Sequence, residues 1–287
     1  MSTNSFRLRR LLLLLSVSWL AQSAVTAAEA VPAPEGNVEQ ESAALVQRVN
    51  SGSLAALNDD ALVALFSQLS PAVLSKYWNT SQGPLSSYEL WLKRQERLSG
   101  DLNERPFINH LKYTHEPRRV YVNWLKGGPN AGQEMIYDET RRREEVYGHL
   151  GGFLNVTSLW MGLDGLLVKA NTNHNVRDQL SYQFFVQSLD QRLKALQSAG
   201  TRPIEKVEVM SPGGQRCVAI TLAATSAKQG LYSGRLRVAL DVAQPLVRQF
   251  EAWGADGELF ERIYLDKVKA TPLTGADFDP ANRNYQF

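Results

Sequence analysis

The chain has 287 residues, four histidines, one cysteine and a formal excess of two positive charges. The lone Cys217 excludes an intramolecular disulfide, and its place in the run C-V-A-I-T-L predicts a buried, inert thiol. Three arginines and one acid fall within the first thirty residues, so the positive excess vanishes once that stretch is removed, and the broad positive field that nucleic-acid binding needs is lost with it.

Residues 1–30 read as a secretory signal: Arg7, Arg9 and Arg10 form a basic start, Leu11 to Ala21 an apolar stretch, and Ala24 to Ala30 a small-residue region with cleavage expected after Ala27, Ala28 or Ala30. The apolar stretch is short for about 30 Å of hydrocarbon. No second long apolar run follows, and no cysteine follows to carry an N-terminal lipid anchor. The expectation is an exported, periplasmic chain that is not an integral membrane protein.

Residues 31–41 contain Pro, Glu and Gly with little apolar content, which predicts a flexible tether. Residues 42–86 hold N-terminal helices. Ser42 to Val49 and Asp59 to Trp78 show helical spacing, with Asn58 or Asp59 as N-cap and Ser70-Pro71 opening a further turn. Leu62, Leu65, Phe66, Leu69, Val73, Leu74 and Tyr77 form a face wide enough to lie on a sheet. Residues 87–287 make one unit with these helices. Between Ser87 and Asp138 four short strands follow one another, with apolar residues alternating along each, the period of a sheet with one covered face. Gly148 to Asn175 breaks any regular pattern and predicts a lid-like connection, although Leu159 to Lys169 is apolar enough for a strand. Arg177 to Ser198 reads as a helix ended by Gly200. Strands at Glu205 to Met210, Gln215 to Ala224, Gly234 to Val242, Pro245 to Trp253 and Leu259 to Lys269 complete a single α+β domain.

Catalytic patterns are missing. There is no G-x-S-x-G, and G-G-P-N-A-G at Gly127 to Gly132 lacks the Lys-Ser/Thr ending of a phosphate loop and runs into a strand, which predicts a hairpin turn. His110, His115, His149 and His174 show no close ligand spacing, so no metal is expected. Arg118-Arg119 and Arg141 to Arg143 are flanked by acids and read as solvated hairpin ends. Asp277, Asp279 and Asn282 lack the Gly and distal Glu of a calcium loop and predict side-chain-to-backbone turns, with Tyr285 and Phe287 pinning the end of the chain onto the sheet.

Three stretches carry a family resemblance: Gln95-Glu96-Arg97 at the end of the first strand, V-Y-V-N-W-L-K-G-G-P-N-A-G-Q-E-M-I-Y at Val120 to Tyr137, and A-D-F-D-P-A-N-R-N-Y-Q-F at the end. From about Ser87 to Phe287 the chain resembles the bacterial domain-of-unknown-function family numbered 1571, departing from it at Asn155 to Val176. The resemblance implies a fold similar to the periplasmic lipoprotein carriers (LolA/LolB-like): α+β, an open antiparallel β half-barrel wrapped around helices. It implies a lipid or acyl-chain ligand and carries over no catalytic residue. The expected function is therefore a non-catalytic periplasmic binding or carrier protein for a lipid or acylated molecule, with no cofactor. The alternative is an envelope structural or interaction protein whose helices fill the barrel, with an envelope protein as partner. The expected apolar lining is Leu90, Leu92, Phe107, Leu111, Val122 and Trp124. Alternation leaves Trp91, Ile108 and Tyr121, on the other face, as the competing set.

Overall fold

The computed structural model describes residues 35–80, 85–98, 100–149, 157–169, 172–225 and 231–287. The expected signal stretch lies outside the described residues. Helix α1 spans Glu35–Asn50, which corrects the expected tether: residues 35–41 are helical. Val38, Ser42, Leu45 and Val49 keep one helical face across the expected boundary, and acids near the N-terminus favour the helix through its dipole. Helix α2, Asp59–Gln68, is capped by Asn58, whose side chain accepts from the Ala61 N–H at 2.8 Å. Helix α3, Pro71–Thr80, starts afresh. Pro71 has no N–H to give α2 and forces Ser70 away from helical geometry, while the Ser70 hydroxyl accepts from the Val73 N–H at 3.2 Å.

The strands are β1 Ser87–Glu96, β2 Phe107–Thr114, β3 Arg119–Trp124, β4 Glu134–Asp138, β5 Glu145–His149, β6 Leu159–Gly162, β7 Ile204–Met210, β8 Cys217–Leu222, β9 Arg235–Asp241, β10 Val247–Trp253 and β11 Leu259–Ala270. Between β6 and β7 come the short helix α4, Leu166–Lys169, and α5, Tyr182–Ser198. Strand β5 goes beyond the sequence reading, where Arg141 to Glu145 masks its start; Val146 is fully buried within it. Helix α5 begins later than expected because the Ser181 hydroxyl caps it, accepting from the Phe184 N–H at 3.0 Å.

All pairings are antiparallel, in the order β6-β5-β4-β3-β2-β1-β11-β10-β9-β8-β7. Two meanders are thus joined along a central β1–β11 seam, and β6 and β7 are the outer edges. A twisted sheet this wide curls rather than lying flat, since open sheets rarely exceed about ten strands without doing so. One continuous core runs from Val146 on β5 to Val218 on β8 and takes in Leu62, Trp78, Phe185 and Leu189 from the helices, so the sheet wraps around them.

Polar ties fix α5 inside the curl. The Tyr88 hydroxyl accepts from the Tyr182 N–H at 2.9 Å and donates to Gln183 at 3.0 Å. Asp190 accepts from Ser75 at 2.7 Å and from the Trp78 indole at 2.6 Å, binding α3 to α5. The buried Arg192 guanidinium donates to the carbonyls of Ala223 at 2.9 Å and Gly234 at 3.1 Å, and burial lowers its pKa to about 10.

The Gly127 to Gly132 stretch is the turn from β3 to β4, as expected. Gly127 and Gly132 have φ of 98° and 86°, and a Cβ on Gly128 would come within 2.8 Å of the Ile108 nitrogen. Cys217 is fully buried, and burial followed by the nearby Asp241 charge pushes its thiol up to about 12, as fits an inert thiol.

Candidate functional site

Alternation along β1, β2 and β3 divides their side chains between two faces, and the β1–β2–β3 register brings the expected lining together. Leu90 lies opposite Leu111, which lies opposite Val122; Leu92 lies opposite Asn109, which lies opposite Trp124; and Arg94 lies opposite Phe107. All six expected residues, Leu90, Leu92, Phe107, Leu111, Val122 and Trp124, are on the helix-covered face and at most 5% exposed. The competing set is on the outer face. Trp91 stacks on His110 with ring centres 4.3 Å apart, and Tyr121 stacks on Tyr285 at 4.1 Å.

Leu92, Leu111, Val122 and Trp124 line a small cavity together with Met135 of β4 and a cover made of Val168 from α4 and Thr172, Val176 and Leu180 from the stretch leading to α5. Leu90 and Phe107 belong to the same core outside this lining. The cavity is small, with a free volume of about 10 Å³, so its own lining nearly fills it. Helix α4 of this cover also carries exposed apolar side chains: Leu166 is 88% exposed and Leu167 about half exposed, and Leu159 on the edge strand β6 is likewise about half exposed.

The polar part of this wall is absent from the apolar alternation. Asn109 is 2% exposed, and neither atom of its amide has a hydrogen-bond partner among the described residues. The Trp124 indole N–H and the Arg94 Nε are likewise without partners, and all three residues line the cavity. An unmade buried hydrogen bond costs about 1–3 kcal/mol, so three such groups on one wall are a departure from ordinary core packing.

Beyond Arg94 the wall leads to a buried ionisable cluster. Glu96 on β1 lies directly opposite Glu261 on β11, and both are at most 1% exposed. Arg94 Nη2 lies 3.2 Å from Glu96 Oε2. The N-T-N-H-N run, which the sequence shows only as an interruption, delivers the remaining groups. Thr172 Oγ1 donates to Glu96 at 3.1 Å, and His174 Nε2 touches Glu261 Oε1 and lies 3.3 Å from Glu96 Oε1. The Tyr232 hydroxyl donates to Glu261 and lies 3.1 Å from His174 Nε2. Burial, then the Glu261 charge, raises the Tyr232 phenol well above its ordinary range, which keeps it a donor.

On the outer face of the sheet the C-terminal motif folds as expected. Asp277 accepts from the Thr274 N–H at 2.9 Å, and Asp279 from the Ala281 N–H at 2.9 Å. Tyr285 stacks on Tyr121, and the Gln286 N–H donates to Glu134 at 2.7 Å. Arg141 pairs with Asp279 at 2.8 Å and Arg142 with Glu145 at 2.7 Å, so these arginines are engaged within the chain.

The fold is thus an open antiparallel half-barrel wrapped around helices, with an apolar cavity at the helix-covered face. The chain belongs to the family described as "Protein of unknown function (DUF1571)", which matches residues 85–287. No curated protein matches it. Among solved structures it is similar to an uncharacterised conserved protein from Thermus thermophilus, at 13% identity and TM-score 0.41 over 74% of this chain and 96% of that one. It is also similar to a LolA superfamily protein from Nitrosomonas europaea, at 8% identity and TM-score 0.32 over 74% and 98% of the two chains. A putative outer membrane lipoprotein-sorting protein domain from Vibrio parahaemolyticus matches at 11% identity and TM-score 0.34, over 73% and 95%. No helix among the described residues is long and apolar enough to cross a membrane.

Proposed function

We propose that this chain is a periplasmic binding or carrier protein for a lipid or acylated molecule, working without chemistry. The observation that supports it is the cavity wall. An apolar surface of Leu92, Leu111, Val122, Trp124 and Met135 carries the unpartnered Asn109, Trp124 and Arg94 groups, the composition that suits a ligand with a hydrocarbon chain and a polar head. Ligand pockets run to about 300–1,000 Å³, so the ligand enters by lifting the cover of α4 and residues 172–180. A dozen buried methylenes contribute about 10 kcal/mol gross, against about 4–15 kcal/mol for association, which makes binding reversible.

The second reading is an envelope structural or interaction protein with a helix-filled barrel and no ligand, and the small volume of the closed cavity favours it. Native mass spectrometry of protein purified from periplasm, with lipid extraction and displacement of a fluorescent fatty acid, separates the two. Carrier function predicts a co-purifying lipid and a probe that Trp124→Ala weakens while Trp91→Ala, on the outer face, leaves alone. A chain that is always empty and never takes the probe establishes the structural reading instead.

A further inference from the structure

We infer that Glu96, His174 and Glu261 form a binding site for a first-row divalent metal ion, with zinc the ion of choice. Such a site is independent of the ligand of the apolar cavity. Two carboxylates placed directly opposite each other across antiparallel strands repel, and here both are removed from water. Arg94, beside Glu96, supplies one positive charge, so a second is needed within the cluster.

The geometry points to a cation held among the side chains rather than to a proton on the ring. Three oxygens, from Glu96, Glu261 and Tyr232, surround the same His174 nitrogen, whereas one N–H serves a single acceptor well. One coordinating atom from each of Glu96, His174 and Glu261 lies within 4.8 Å of the others, close enough for all three to reach one ion. One imidazole with two carboxylates is a donor set for zinc or manganese, and too nitrogen-rich for calcium or magnesium. A dication here with Arg94 more than offsets the two carboxylates and leaves the cluster with one net positive charge.

The site is closed to solvent, so the ion is taken up while the sheet closes, and the test covers both routes. The full mature chain, stripped with a chelator, is titrated with Zn(II) and Mn(II) in the folded state and also refolded in their presence, then dialysed and measured by elemental analysis. One retained equivalent and a raised Tm are expected. Glu261→Gln and His174→Gln should each lower affinity at least about tenfold. Glu261→Gln keeps the side-chain shape and removes the repulsion, so its chelated form should melt no lower than the chelated wild type. His110→Ala controls for the surface pair of His110 and Glu89, 2.8 Å apart. No uptake by either route overturns the inference. So does uptake that survives Glu261→Gln and disappears in His110→Ala.

Discussion

Asn109 occupies a position where a leucine would complete the apolar wall. Its neighbours across the register are Leu92 and Trp124, and neither of its amide atoms is paired among the described residues. Relieving a buried unpaired amide is worth about 1–3 kcal/mol. Asn109→Leu should therefore raise Tm by several degrees, at about 2–4 °C per kcal/mol for a chain of this size. On the carrier reading the same change should weaken the fluorescent acyl probe, the familiar exchange of stability for function. A variant with unchanged Tm would show that Asn109 is already satisfied. The apolar members of this wall are legible in the sequence because side chains alternate with a period of two. The polar end is not: His174 and Glu261 are 87 residues apart, and only the β1–β11 register and the fold of the N-T-N-H-N run bring them together.

Among the elements, the C-terminal motif is a clip on the outer face. Tyr285 stacks on Tyr121, its neighbour Gln286 satisfies Glu134, and Phe287 lies 5.4 Å from the Tyr147 ring on β5. Removing Tyr285 to Phe287 takes away an aromatic stack and strips a buried carboxylate of a donor. The expected cost is on the order of 2–4 kcal/mol, read as a lower Tm and an earlier denaturant midpoint. An unchanged melting curve would mean that the clip holds nothing. This element could be read from the sequence because Asp, Asn and aromatic residues speak through local turns. The boundary of α1 could not, since proline and glycine nearby disguise a helical face that is recognised only once α3 packs on it. The cover over the cavity shares this difficulty, because Leu159 to Lys169 divides into a four-residue strand and a single helical turn, each too short for periodicity to separate.

At the scale of the whole molecule the first meander is held by carboxylates as well as by the core. Burial opposes ionisation of Asp138, but the Thr140 hydroxyl and N–H, with Arg119, outweigh it and hold its pKa below the ordinary carboxylate value. Asp277 is likewise depressed, Thr274 and Lys112 outweighing its burial. A carboxylate with a lowered folded pKa contributes stability that is fully present above its unfolded pKa of about 4 and is lost as pH falls through the folded value. Tm should therefore be insensitive to these two groups from neutral pH down to about 5, then fall below about 4. Asp138→Asn should lower Tm at neutral pH and flatten the acid limb; an acid limb of unchanged slope would assign the loss to other groups. The sequence shows both meanders strand by strand but not the β1–β11 seam, because antiparallel partners distant in the chain leave no local trace. The seam also leaves the sheet with two ends that could template another chain. Each is blunted in its own way: β7 carries Glu205, Lys206 and Glu208 and has α2 beside it, whereas β6 is only four residues long. A neighbouring molecule finds charge and a helix at one border and too little backbone at the other, so the sheet keeps two free ends without inviting a twelfth strand.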